Sequence, residues 1–168
     1  MAAAAGTAAG AASTTIRPSS AVYEGVVRDE WVDANGHMNL AYYVVLFDAA
    51  TDVLFECLDL GVTYRDVSKA ALFAVETHTI YRRELLARDR VRVVARFLGA
   101  TSKRVHVAHE MFHPDGDCAA MQEILFVHVD LKTRRASALP ETVAASLALA
   151  GTDGVPPTWI GQKIITLN

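Results

Sequence analysis

Beyond position 39 the apolar residues recur at helical spacing. Leu40, Tyr43, Val44, Phe47, Thr51, Leu54 and Leu58 fall three and four positions apart, which describes one face of an α-helix. Asp48, Asp52 and Glu56 repeat at spacing four on another face. The run predicts a helix of about 20 residues, roughly 30 Å long, with Gly61 as its C-terminal cap. After Gly61 the period changes to two. Residues 72–83 have strand character, Val91, Val93, Ala95 and Phe97 alternate with Arg90, Arg92 and Arg96, and Val105, Val107, His109 and Met111 form a second alternating set. Residues 121–131 predict a last long strand, 22–28 a short first one, and 141–150 a short helix.

Turn chemistry joins these elements. Asn35-Gly36 and Pro114-Asp115-Gly116-Asp117 are turn signals. The connections near Arg88-Asp89 and Thr101-Ser102 are short, so the strands flanking each are expected to be antiparallel neighbours. One long early helix followed by several long strands predicts an α+β domain, with a curled antiparallel sheet wrapped around a buried central helix. An open sheet edge favours pairing with a second copy of the chain.

The 168 residues suit one domain. It is expected over 21–150, between a flexible Ala-rich tail at 1–20 and a C-terminal tail at 151–168. The first tail has neither the basic start nor the Leu/Val-rich stretch of a signal peptide. A net charge of −3 without a dominant Lys/Arg run gives no reason to expect nucleic acid or an anionic membrane as partner. No apolar run reaches the roughly 18–20 residues of a membrane span. Cys57 and Cys118 sit in apolar stretches and read as reduced thiols, which suits a cytoplasmic protein.

Two segments carry candidate chemistry. Asp33 stands in a turn just before the long helix, three residues ahead of Gly36. A carboxylate there is available as a base or a nucleophile. The unpaired N–H groups and the positive dipole end of the helix suit a developing oxyanion, and Gly36 permits close approach of a ligand to backbone. The same residues also suit a plain turn that caps a helix, and local chemistry leaves both readings open. The second segment, His109-Glu110-Met111-Phe112-His113, matches the H-E-x-x-H zinc pattern, which works only on a helix. The period here is two, so the histidines would stand about 13 Å apart, too far for ligands about 2 Å from one metal. No metal is expected.

The stretch Trp31-Val32-Asp33-Ala34-Asn35-Gly36-His37-Met38-Asn39-Leu40-Ala41-Tyr42-Tyr43, followed by Phe47-Asp48-Ala49-Ala50, resembles the 4-hydroxybenzoyl-CoA thioesterase branch of the hotdog-fold superfamily. Val75-Glu76-Thr77-His78, Ser102-Lys103-Arg104 and Leu125-Phe126-Val127-His128-Val129-Asp130 are similar, in the expected order, to thioesterases of carnitine and betaine catabolism. The resemblance covers roughly 22–140. It implies a hotdog fold and an acyl-CoA thioesterase that releases CoA from a short acyl group, polar or trimethylammonium-bearing. Asp33 would be the catalytic carboxylate and the Leu40 backbone N–H the oxyanion donor, while His37 and Asn39 orient the carboxylate or the carbonyl. Many relatives carry an aromatic residue where Leu40 stands, a departure that a backbone role survives.

Further roles follow from the same resemblance. Thr77 and His78 would pass beside the helix start of a partner subunit. They face opposite sides of a strand, so only one can reach the site; His78, which shares its side with Glu76, is slightly preferred. Lys103 and Arg104 would meet the CoA phosphates, with Arg82 and Arg83 as a second basic pair. Asp48 with Trp31, Tyr42, Tyr43 or Phe47 would line the acyl pocket and hold a cation by charge and cation–π attraction. The assembly would be a homodimer or homotetramer with active sites at the subunit interface. No cofactor is implied, because coenzyme A is part of the substrate and a thiol leaves readily. Two other readings stay open: a hotdog dehydratase pairing His37 with Asp48 or Asp52, and a non-catalytic acyl-CoA binding module.

Overall fold

The computed structural model describes residues 18–150 and 157–161; most of both expected tails lies outside them. The chain runs β1 (Ser20–Val26), a 3-10 turn (Asp29–Trp31), α1 (Leu40–Cys57), α2 (Val62–Ser68), β2 (Ala70–Tyr81), β3 (Arg90–Ala100), β4 (Arg104–Phe112), β5 (Cys118–Asp130), β6 (Arg135–Ala136) and α3 (Glu141–Ala150). The strands form one antiparallel sheet in the order β1-β3-β4-β5-β2, with β6 paired to the end of β5.

α1 is the expected central helix. Asn39 caps it, its Oδ1 accepting the Ala41 amide at 3.0 Å, and its stripe of Tyr43, Leu46, Phe47, Ala50 and Leu54 is buried against β1, β3 and β4. Burial of Phe47 or Leu54 alone contributes about 1.5–3 kcal/mol. The alternating sets predicted for β3 and β4 supply the facing layer: Val91, Val93, Ala95 and Phe97 beside Val105, Val107 and Met111.

The helix does not end at Gly61. It stops at Cys57, and Asp59 takes the left-handed turn at φ 55°. Gly61 instead opens α2, a helix the sequence pattern did not suggest. The Glu56 carboxylate folds over this junction to accept the Val62 amide at 2.9 Å, and a side chain at Gly61 would collide with it.

The topology corrects a second expectation. β2 and β3 are joined by only eight residues, yet they are not neighbours: β3 lies between β1 and β4, and β2 pairs with β5 at the far edge. The connection 82–89 crosses the open end of the sheet instead. Backbone bonds from Met38 to Leu85 (2.7 Å) and from Val27 to Asp89 (2.9 Å) pull it against the segment ahead of α1. This crossing creates one wall of the site.

At the β2 edge, Val75 and Tyr81 are exposed, as are Leu40, Val44 and Val45 on α1. The register Thr77↔Ile124 and His78↔Glu123 puts Thr77 on the helix side and His78 on the outer side of the sheet. On that outer side Glu123 Oε1 takes hydrogen bonds from His106 Nε2 at 2.8 Å and from the Gly161 amide at 3.0 Å. The described piece of the C-terminal region therefore packs on the sheet.

Candidate active site

The turn before α1 is closed by a backbone bridge between Val32 and Met38. Within it the Asp33 amide donates to the His37 carbonyl at 3.1 Å and the Gly36 amide to the Asp33 carbonyl at 3.0 Å. Gly36 takes φ 83°, a conformation natural to glycine. Two further bonds fix the turn to its surroundings, Asn39 N–H to the Trp31 carbonyl at 2.9 Å and Met38 N–H to the Leu85 carbonyl at 2.7 Å.

Both oxygens of Asp33 are held. Oδ1 accepts the Asn35 amide at 2.8 Å and Oδ2 accepts the Asn39 side-chain amide at 3.3 Å. These bonds, the Asn35 backbone donor first, keep the carboxyl below the ordinary aspartate range; the nearby His37 ring adds a smaller effect of the same sign. Asp33 is therefore ionised at neutral pH. Next to it, the Leu40 amide has no acceptor among the described residues. A carboxylate and a free amide at a helix start are the two elements that acyl transfer needs, an attacking or base group and an oxyanion donor.

They open on a cleft of about 340 Å³. Asp33, Asn35, His37, Met38 and Leu40 line one side, and Tyr81, Arg82, Arg83 and Glu84 from the crossing connection line the other, with Tyr43 between. Tyr43 and Tyr81 meet edge to face, ring centroids 5.1 Å apart and planes at 83°. The Tyr43 hydroxyl donates to the Arg83 carbonyl at 3.4 Å. Tyr81 and Glu84 escaped sequence reasoning because nothing local says that the chain crosses here.

The other expected residues are distributed differently. Trp31 and Tyr42 stack on each other at 5.0 Å, with the Arg28 guanidinium also over Trp31, so the pair braces the turn. Phe47 is fully buried against His109 and does not line the cleft. Asp48 is exposed, about 12 Å along the helix from Leu40, in a stripe with Asp52 and Glu56. That spacing sets Asp48 and Asp52 further along the helix than the turn that carries His37 within one chain. Thr77 and His78 are not brought to Asp33 within one chain, and His78 faces the outer side beside Glu123. Lys103 and Arg104 sit at the opposite end of β4 from the hairpin that touches the site, about 26 Å away.

The histidines of the H-E-x-x-H match part company as strand geometry requires. His109 Nε2 meets Thr51 Oγ1 at 2.9 Å in the core, while His113 Nε2 donates to the Glu84 carbonyl at 2.7 Å.

Residues 27–147 match the family profile of the thioesterase-like superfamily. The chain belongs to that superfamily. A betainyl-CoA thioesterase of Pseudomonas aeruginosa is 36% identical over 146 residues, 84% of this chain and 92% of that protein. An L-carnitine dehydrogenase/betainyl-CoA thioesterase of Agrobacterium fabrum is 35% identical over 85% of this chain but only 30% of its own length. Among solved structures, a Staphylococcus aureus protein in complex with CoA superposes with a TM-score of 0.77 at 26% identity, over 91% of this chain and 98% of that one. The hotdog fold and the thioesterase class expected from the sequence both hold for this member of the superfamily. Among the described residues no helix is long and apolar enough to cross a membrane.

Proposed function

We propose that the protein hydrolyses the CoA thioester of a short acyl group bearing a trimethylammonium, and that Asp33 carries the reaction. The observation behind this reading is the ionised Asp33 carboxylate beside the free Leu40 amide at the mouth of one cleft. The thioester carbonyl carbon is attacked by Asp33, or by a water that Asp33 deprotonates. The carbonyl oxygen becomes an oxyanion facing the Leu40 N–H, and its collapse expels the CoA thiolate. Water supplies the oxygen of the acid product and the proton of the thiol. Asn35 and Asn39 hold the carboxylate, the His37 ring lies nearby, and no cofactor is called for. The identity with betainyl-CoA thioesterases supports the cationic acyl group.

The working unit in this reading is a homo-oligomer built on the β2 edge. Among the described residues β2 is unpaired on one side, and the apolar Val75, Leu40, Val44 and Val45 around it are exposed, a surface that a second copy would cover. A two-fold axis perpendicular to β2 would pair the two strands antiparallel. It would bring Lys103 and Arg104 of the second copy to the same end as Asp33, where the CoA phosphates would need them, and its Thr77 toward the cleft. The free thiols of Cys57 and Cys118 suit a cytoplasmic location.

The test is Asp33→Asn, assayed by thiol release from a panel of trimethylammonium, short neutral and aromatic acyl-CoAs. A loss of roughly 10²–10⁴-fold with the fold intact is expected; near-normal turnover would discard Asp33 as the catalytic group.

A further inference from the structure

The cleft beside Asp33 is anionic and aromatic once its own ion pairs are taken into account. Arg83, which lines it, is bound by Asp115 at 2.6 Å and by Asp117 at 2.9 Å, so its charge is spent within the fold. Arg82 then stands against two carboxylates, Asp33 and Glu84. Glu84 is exposed and makes no ion pair among the described residues. Its charge is felt inside the cleft: burial is the main cause that raises the Tyr43 hydroxyl above its ordinary value, and Glu84 adds to it.

The aromatic part is a corner. Tyr43 is buried and fixed by its hydroxyl, while Tyr81 stands perpendicular to it and is 46% exposed. Two rings at right angles with a carboxylate at the rim match what a quaternary ammonium needs. Such a group has no N–H to donate, so only ring faces and a through-space negative charge can select it. Of the aromatic residues expected from the sequence only Tyr43 contributes to this corner: Trp31 and Tyr42 are stacked on each other, and Phe47 is in the core.

We propose that Tyr81 and Glu84, backed by Tyr43, are the residues that select a quaternary-ammonium acyl group, an assignment that rests on the thioesterase reading of Asp33. The test compares trimethylammonioacetyl-CoA with its neutral isostere 3,3-dimethylbutanoyl-CoA, which has the same shape and differs by one charge. The readout is the ratio of the two kcat/KM values in the homo-oligomeric full chain. Wild type should favour the cation. Tyr81→Leu and Glu84→Gln should each lower that ratio by about 10-fold, and Tyr81→Phe, which keeps the ring face, should retain it. A ratio within twofold of wild type in both Tyr81→Leu and Glu84→Gln, with thiol release still present, would overturn the assignment alone. If wild type releases thiol from neither ester, the thioesterase reading of the site falls with it.

Discussion

The Asn39 side chain ties Asp33 to the helix: its Nδ2 donates to Asp33 Oδ2 at 3.3 Å while its Oδ1 accepts the Ala41 amide at 3.0 Å. One residue therefore both caps α1 and helps to hold the carboxylate ionised. Asp33 has a depressed pKa, and its ionised form is the active one. Activity should persist as pH falls past the ordinary aspartate value of 3.8 and fail only below it. Asn39→Ala removes one of the two bonds that stabilise the anion, so the acid limb of kcat/KM should move upward. It should not move all the way, because the Asn35 amide, the larger cause, remains. The same change should cost about 1 kcal/mol of stability through the lost cap. A pH–rate profile and a urea titration measure the two effects separately.

Leu40 occupies the first helical position, directly after the Asn39 cap. Proline is well tolerated there, since its fixed φ suits a helix start and its missing N–H is one that the helix does not use. Asn39, at φ −61° and ψ 141°, already has the extended conformation required before a proline. Leu40→Pro should therefore delete the oxyanion donor and leave α1 standing. A drop in kcat of roughly 10²–10³-fold is expected, against a small change for Leu40→Ala, which keeps the amide. Equal activity in the two variants, with unchanged helical circular dichroism, would remove the Leu40 amide from the mechanism.

The elements that could be read from the chain are those with a strong period. α1 and β3 to β5 carry runs of three-to-four or two-residue spacing, and each appears within a few residues of its expected bounds. α2 is seven residues long, too short to establish a period, and Gly61 looked like a stop because glycine suits both ends of a helix. The cleft was half legible. Asp33, His37 and Leu40 are contiguous in sequence and their chemistry could be argued locally. Tyr81 and Glu84 reach the site only because β2 is carried to the far edge of the sheet, and strand order is not encoded in the alternation of any one strand. Of the aromatic residues expected at the acyl pocket, Tyr43 lines the cleft and Phe47 does not: helical spacing shows that Phe47 is on the apolar face, not whether that face meets a cleft or a sheet.

Arg83 is neutralised by Asp115 and Asp117 in the β4–β5 turn, and these bonds hold its pKa above the ordinary arginine value. Replacing both aspartates by asparagine would leave a full positive charge beside the cleft. A cationic acyl group should then bind less well, so KM for trimethylammonioacetyl-CoA should rise several-fold while the neutral isostere is affected less. The partners are exposed, so added salt should screen the repulsion and narrow the gap, with most of the effect gone by about 1 M, where the Debye length is about 3 Å. A KM difference that does not respond to salt would point to movement of the 82–89 connection instead of charge.

His109 reports on the core beneath the site. Thr51 Oγ1 donates its proton to the Phe47 carbonyl at 3.0 Å, so the bond at 2.9 Å to His109 has the imidazole Nε2–H as donor. The ring is neutral in that tautomer, its Nδ1 is buried without a partner among the described residues, and burial lowers its pKa from 6.5 to about 3. The folded state therefore resists a proton that the unfolded chain accepts. Stability contributed by the neutral ring is fully present above pH 6.5, and it is lost progressively as pH falls toward 3. The slope in this window should approach about 1.4 kcal/mol per pH unit from this group, or on the order of 2 kcal/mol between pH 7 and pH 5. His109→Gln keeps a donor for Thr51 and cannot titrate, so this part of the slope should vanish. Urea unfolding of both proteins at pH 7 and pH 5 provides the measurement, and equal losses in the two would mean that His109 is not the group that takes up the proton.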